Sequence, residues 1–219
     1  MRQNISLAEI SDGHLYKAND MVKADCGGCE GCSQCCRGMG SSIILDPYDV
    51  YRLTTGIGKS MQELLATSVE LNVVDGVILP NLKMQGTREA CAYLDVEGRC
   101  SIHPYRPGIC RLFPLGRHYE NGGLFYFLQT GECAKENRSK VKVSKWIDTP
   151  ELKRNEQFKL QWHDLLSAMT DRVAGEDEGK QREENLLLLR LFYLLPYEGT
   201  TDFYSQFTER MEHWNEQIG

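Results

Sequence analysis

The chain has 219 residues, 41% apolar and 26% charged, an ordinary balance for a folded globular protein that excludes wholesale disorder. That length buries a substantial core without covalent staples, so small size does not explain its nine cysteines. A formal charge of -6 supplies no clustered basic surface to displace counterions from phosphates, which argues against a nucleic-acid partner.

The opening stretch MRQNISLAEI lacks the apolar run of a secretory signal. The longest apolar run, LLLLRLFYLL at 186–195, is interrupted by Arg190 and is too short to span a bilayer. These features read as a cytoplasmic protein without a membrane partner. In a reducing compartment, an odd number of cysteines points to metal ligation or redox chemistry rather than to a disulfide framework.

All the cysteines lie between positions 26 and 133, and five fall in CGGCEGCSQCC. Cys26, Cys29, Cys32 and Cys35 recur every third residue, and Cys36 follows directly. Gly27, Gly28 and Gly31 let such a loop wrap round a metal or cluster with its N–H groups turned toward the sulfurs. Adjacent side chains diverge in a strand or a helix, so Cys35 and Cys36 reach one ion only with strain. They suit two corners of a polynuclear cluster, two separate sites, or one ligand beside one spare thiol.

Further along, Asp46-Pro47 with acidic Asp49 predicts a helix start. Ser60 with Glu63 three residues later predicts a second helix with a capping box. The intervening TTGIGKS ends like a phosphate-binding loop, but position 53 is Leu where that loop needs glycine, so an interhelical turn is expected. Asp75-Gly76 between two β-prone runs predicts a hairpin, as do Glu97-Gly98 and Asn121-Gly122-Gly123. The basic stretch 135–145 reads as a solvated helix and its end.

Beyond Ser144 the pattern turns helical. Thr149-Pro150-Glu151 marks a helix start, followed by apolar residues from Leu152 to Met169 at helical spacing. GEDEGKQREE reads as a solvated connector into an apolar helix around 186–195. A last helix over roughly 201–217 carries Phe203, Phe207, Met211 and Trp214 on one face, most simply for packing. The expected fold is α+β: a small antiparallel, hairpin-rich sheet with short helices around a cysteine metal site, then a helical carboxy-terminal region. The expected division is a cysteine-cluster domain over 1–145 and a helical extension over 146–219.

The distal cysteines are Cys91, Cys100, Cys110 and Cys133. Cys91 and Cys100 are assigned to the two arms of the second hairpin. All four can join the glycine-rich loop only if the hairpin ends gather near it. A structural zinc site usually pairs two C-x2-C knuckles, whereas these cysteines are isolated. An iron-sulfur cluster often takes a compact cysteine loop plus a distant thiolate, so a cluster, 4Fe-4S foremost, is the expected cofactor and zinc the alternative.

CEGCSQCCR together with CAYLDVEGRCSIHPYRPGICRLFP resembles the YkgJ-like cysteine-cluster family, a domain associated with zinc or iron chelation. The resemblance maps its C-x2-C-x2-C-C stretch onto Cys29, Cys32, Cys35 and Cys36, and a later block onto Cys91, Cys100 and Cys110, with Cys133 after a hairpin. It implies that these eight are metal ligands, and it leaves Cys26 outside the pattern. A similar cluster occurs in flagellin lysine N-methylases, which makes a component of protein lysine methylation one alternative. A zinc-stabilised interaction module without catalysis is another. The expected function is a metalloprotein for redox or metal-dependent chemistry, with a second metal as an option and a redox or other protein partner.

Around these ligands, His103 lies three residues after Cys100 and could ligate or support a ligand from behind. Arg106 and Arg111 flank Cys110, where positive charge would offset a thiolate cluster. His14, His118, His163 and His213 lack cysteine or acidic neighbours in a ligand pattern. No glycine-rich strand-to-helix loop for S-adenosylmethionine is present, and no catalytic set is marked.

Overall fold

A computed structural model describes residues 6–27, 32–135 and 137–218. A single helical turn, α1 (Leu7–Ile10), precedes strand β1 (Met21–Asp25). After a short 3-10 turn at Gln34–Cys36 come helices α2 (Pro47–Ile57) and α3 (Met61–Thr67). Both begin with reciprocal capping boxes. Asp46 accepts from the Asp49 N–H at 3.0 Å while the Asp49 carboxylate accepts from the Asp46 N–H at 3.2 Å. Ser60 and Glu63 repeat the device at α3, at 3.3 and 2.8 Å. Ser60→Ala is expected to cost about 1 kcal/mol, a lowering of about 2–4 °C for a chain this size in a thermal melt; an unchanged midpoint would show that the cap is idle.

The antiparallel pairing expected from the turns is present, divided into four two-stranded ladders. β2 (Val69–Val74) and β3 (Val77–Leu82) close on Asp75-Gly76, and β6 (Leu115–Glu120) and β7 (Gly123–Leu128) close on Asn121-Gly122. At the first, Asp75 and Gly76 both take positive φ, at 50° and 82°, the geometry an Asp-Gly turn favours. The Glu97-Gly98 segment differs from its expectation. Asp95 accepts from the backbone N–H of Glu97 and Arg99, at 3.0 and 2.8 Å, and winds the chain into a loop closed by one bridge, Leu94 to Cys100. Cys91 instead lies in β5 (Ala90–Cys91), paired with β4 (Met84–Gln85).

α4 (Gly108–Leu112) precedes β6. β8 (Ser139–Lys142) pairs with β1, then α5 (Val143–Ile147) follows, so the basic stretch is part strand and part helix rather than one helix. The carboxy-terminal region comprises α6 (Leu152–Val173), α7 (Glu178–Leu189) continued by a π-helical turn to Leu194, and α8 (Phe203–Ile218). The charged connector is mostly exposed, as expected, and is helical from Glu178. Asp177 caps that start, accepting from the N–H groups of Gly179 and Lys180 at 2.9 and 3.1 Å.

Two cores result. The larger joins Leu53, Leu64 and Leu82 to Phe158, Phe192 and Phe207, so α6, α7 and α8 bury their apolar stripes against α2, α3 and the β2–β3 hairpin. Edge-to-face rings, such as Phe158 on Phe207 at 4.8 Å between centroids, fill its centre. The smaller gathers Val22, Ala24, Leu115, Tyr126, Val143 and Ile147 round β1, β6 and β7. Among the described residues no helix is long and apolar enough to cross a membrane.

Candidate metal centre

Three turns of chain deliver cysteines to one place. The 3-10 turn at Gln34–Cys36 is held by the Cys36 N–H donating to Ser33 O at 3.0 Å and by a bridge from Arg37 to Ala90. That bridge sets Cys36 beside Cys91 on β5. The Asp95 loop then returns Cys100 toward Cys91, with the Ser101 N–H donating to Tyr93 O at 2.9 Å. α4 brings in Cys110, its start fixed by the Gly108 N–H donating to the Asp49 carboxylate at 2.7 Å.

Cys35, Cys36, Cys91, Cys100 and Cys110 therefore line one cavity of about 450 Å³. Its remaining walls are mostly apolar, among them Met39, Ile43, Leu82 and Ile109, with Arg106, Gln129 and Glu132 as polar exceptions. A second, much smaller cavity of about 20 Å³ is lined by Cys26, Cys32, Cys35 and Cys133. Cys35 lines both. Cys29 lies outside the described residues.

Electrostatics mark the larger cavity. Burial pushes the Cys91, Cys100 and Cys110 thiols up, and neighbouring cysteines push them further, since several thiolates cannot share an apolar cavity without compensating positive charge. The Tyr93 and Ile102 N–H groups oppose this by donating to the sulfurs of Cys91 and Cys100. Such N–H donation to sulfur stabilises ligating thiolates and tunes iron-sulfur centres. Cys36 donates its S–H to Cys35, which lowers the Cys35 thiol and raises its own.

Arg106 lines the cavity, and its charge favours the thiolates of Cys35 and Cys100. Its Nε is buried without a hydrogen-bond partner, as expected of a donor reserved for something the protein chain itself does not supply. Arg111 lines neither cavity: it donates to Asp148 O at 2.6 Å and Pro104 O at 2.9 Å, clamping the loop before α4. His103 is exposed and also lines neither, and its imidazole is held below the usual histidine range by desolvation and by Arg106 and Arg111.

These donors suit a soft metal. Among the described residues no three Cys, His, Asp or Glu side chains are already arranged to hold a single ion. Five thiols line this cavity, one more than the four that a tetrahedral zinc site takes. Gln129 and Glu132, which complete the wall, belong to no sequence motif; only the return of the β6–β7 hairpin places them there.

The CxxCxxCC family, described as "Putative zinc- or iron-chelating domain", matches residues 28–139, more than half of the chain. The chain belongs to the CxxCxxCC family. Every cysteine lining the larger cavity falls within that segment, while Cys26 precedes it. No curated protein and no solved structure matches the chain significantly.

Proposed function

We propose that this CxxCxxCC protein is a cytoplasmic metalloprotein that holds an iron-sulfur cluster, 4Fe-4S foremost, in its larger cavity. Cys36, Cys91, Cys100 and Cys110 are its ligands, and the cluster supplies one-electron redox chemistry when bound. The observation carrying this is the convergence of thiols from three separate chain segments on one apolar cavity, two of them receiving backbone N–H donors. A single zinc ion does not need five thiols.

In this reading the chain's own groups have defined tasks. Arg106 offsets the negative charge of the ligated thiolates and offers its buried Nε to the bound group. Tyr93 and Ile102 hold the ligand orientation through their N–H groups. The apolar wall excludes water, which slows loss of the cluster and sets its potential.

Anaerobic purification with metal and sulfide analysis tests the proposal. A brown protein with iron and acid-labile sulfide is the expected result. A colourless protein containing only zinc would overturn it, leaving a zinc-stabilised module.

A further inference from the structure

The geometry points to a second thiolate site, separate from the larger cavity, in which Cys26, Cys32, Cys35 and Cys133 hold one tetrahedrally coordinated ion of the zinc class. It rests on the metal-binding reading of the chain, not on which metal fills the larger cavity.

The first support is how the chain brings these residues together. Cys26 directly follows β1, and Cys133 lies six residues before β8. The β1–β8 ladder pairs Asp25 with Ser139, and the Ser139 hydroxyl donates to the Asp25 carboxylate at 3.3 Å. That ladder closes the ends of two loops, one carrying Cys26 and the other Cys133. Gly27 then turns the chain at φ 72°, with its N–H donating to Asp25 at 2.9 Å, and Cys26 stays at the cavity wall.

Size is the second support. The cavity between these thiols is about 20 Å³, room for a single ion or water, against about 450 Å³ next door. The thiols are not yet gathered round one point, so ligation requires side-chain rotation in a wall that is only partly buried. Four thiolates on a divalent ion leave a net charge of about -2, and the same cavity is lined by one cation, Lys135, and one carboxylate, Glu132.

The adjacent pair supplies the third support. Cys36 lines only the larger cavity, whereas Cys35 lies in the wall between the two. Two neighbouring side chains that cannot comfortably share one ion can each face a different one. Cys26, outside the family segment, completes the outer set.

Metal counting on the full chain, grown with both zinc and iron and purified anaerobically, tests this. The double variant Cys26→Ser/Cys133→Ser is expected to lose one zinc per chain while keeping the visible absorption and metal of the larger cavity. The reciprocal Cys36→Ser/Cys100→Ser should lose the inner metal and keep that zinc. The single variant Cys133→His, which keeps a fourth zinc ligand, should keep the ion while Cys133→Ser loses it, which separates loss of a ligand from loss through misfolding. Equal metal content in wild type and Cys26→Ser/Cys133→Ser would overturn the second site, as would parallel loss of both metals in each double variant. If the larger cavity proves to hold zinc, the iron-sulfur proposal fails alone; the outer site still stands or falls on whether one zinc ion is lost.

Discussion

Cys110→Ser is expected to abolish metal binding in the larger cavity and to lower the stability of the metal-loaded protein by about 4 kcal/mol, taking a free metal or cluster supply near 1,000-fold above its dissociation constant. For a chain of 219 residues that corresponds to a fall on the order of 10 °C in the thermal midpoint. Serine keeps the volume and loses the soft, ionisable sulfur. Cys110 is the informative choice because, of the cysteines lining this cavity, it is the farthest in sequence from the glycine-rich loop. The metal-stripped wild type and the metal-stripped variant should melt together, within about 1 kcal/mol, since the substitution removes no packing of consequence. Equal melting of the loaded and stripped wild type would show that nothing stabilising binds there.

Burial and the charge of the neighbouring thiols push the Cys110 thiol up in the metal-free protein. Loading must therefore release protons, and a positively charged group must replace them. Arg106 supplies a fixed part of that charge and the metal the rest. Metal binding and stability thus draw on the same contacts, so a variant that loosens the α4 clamp, such as one at Arg111, is expected to change metal retention without touching a cysteine.

What the sequence reveals depends on whether the interaction is local. The boxes at Asp46/Asp49 and Ser60/Glu63 span three residues and are readable from residue type alone, as are the two-residue turns at Asp75-Gly76 and Asn121-Gly122. Glu97-Gly98 carries the same turn signal and does fold the chain back, but into a single antiparallel bridge rather than a ladder, with the Asp95 side chain taking the Glu97 and Arg99 N–H groups in a wider loop. The helix from Glu178 is hidden by a polar surface that gives no apolar period, although Asp177 is a readable cap. The cysteine motif announces metal chemistry. The division into a wide and a narrow cavity does not show, since it depends on β1 pairing with β8 more than a hundred residues later.

The contact least visible in the sequence carries the other large effect. Lys159 of α6 is buried and ion-pairs with Asp46, the cap of α2, across 113 positions. Desolvation pulls its ammonium down to about 7, and the adjoining carboxylate is what favours keeping the charge. Beside them the buried Asp49 carboxyl, raised to about 6 by desolvation, holds the Gly108 N–H at the start of α4. Lys159→Met leaves the half-buried Asp46 without its cation and is expected to cost about 3 kcal/mol, the low end for a broken buried pair, in denaturant unfolding. Adding Asp46→Asn removes the stranded charge, so the double variant should recover part of that loss, with a coupling above about 1 kcal/mol. Additive losses would mean that the two side chains act independently. Because the Asp46/Asp49 box also fixes the start of α4, the Lys159 variant should retain metal less well than its stability alone accounts for. The helical tail would then act on the metal centre through one buried charge pair.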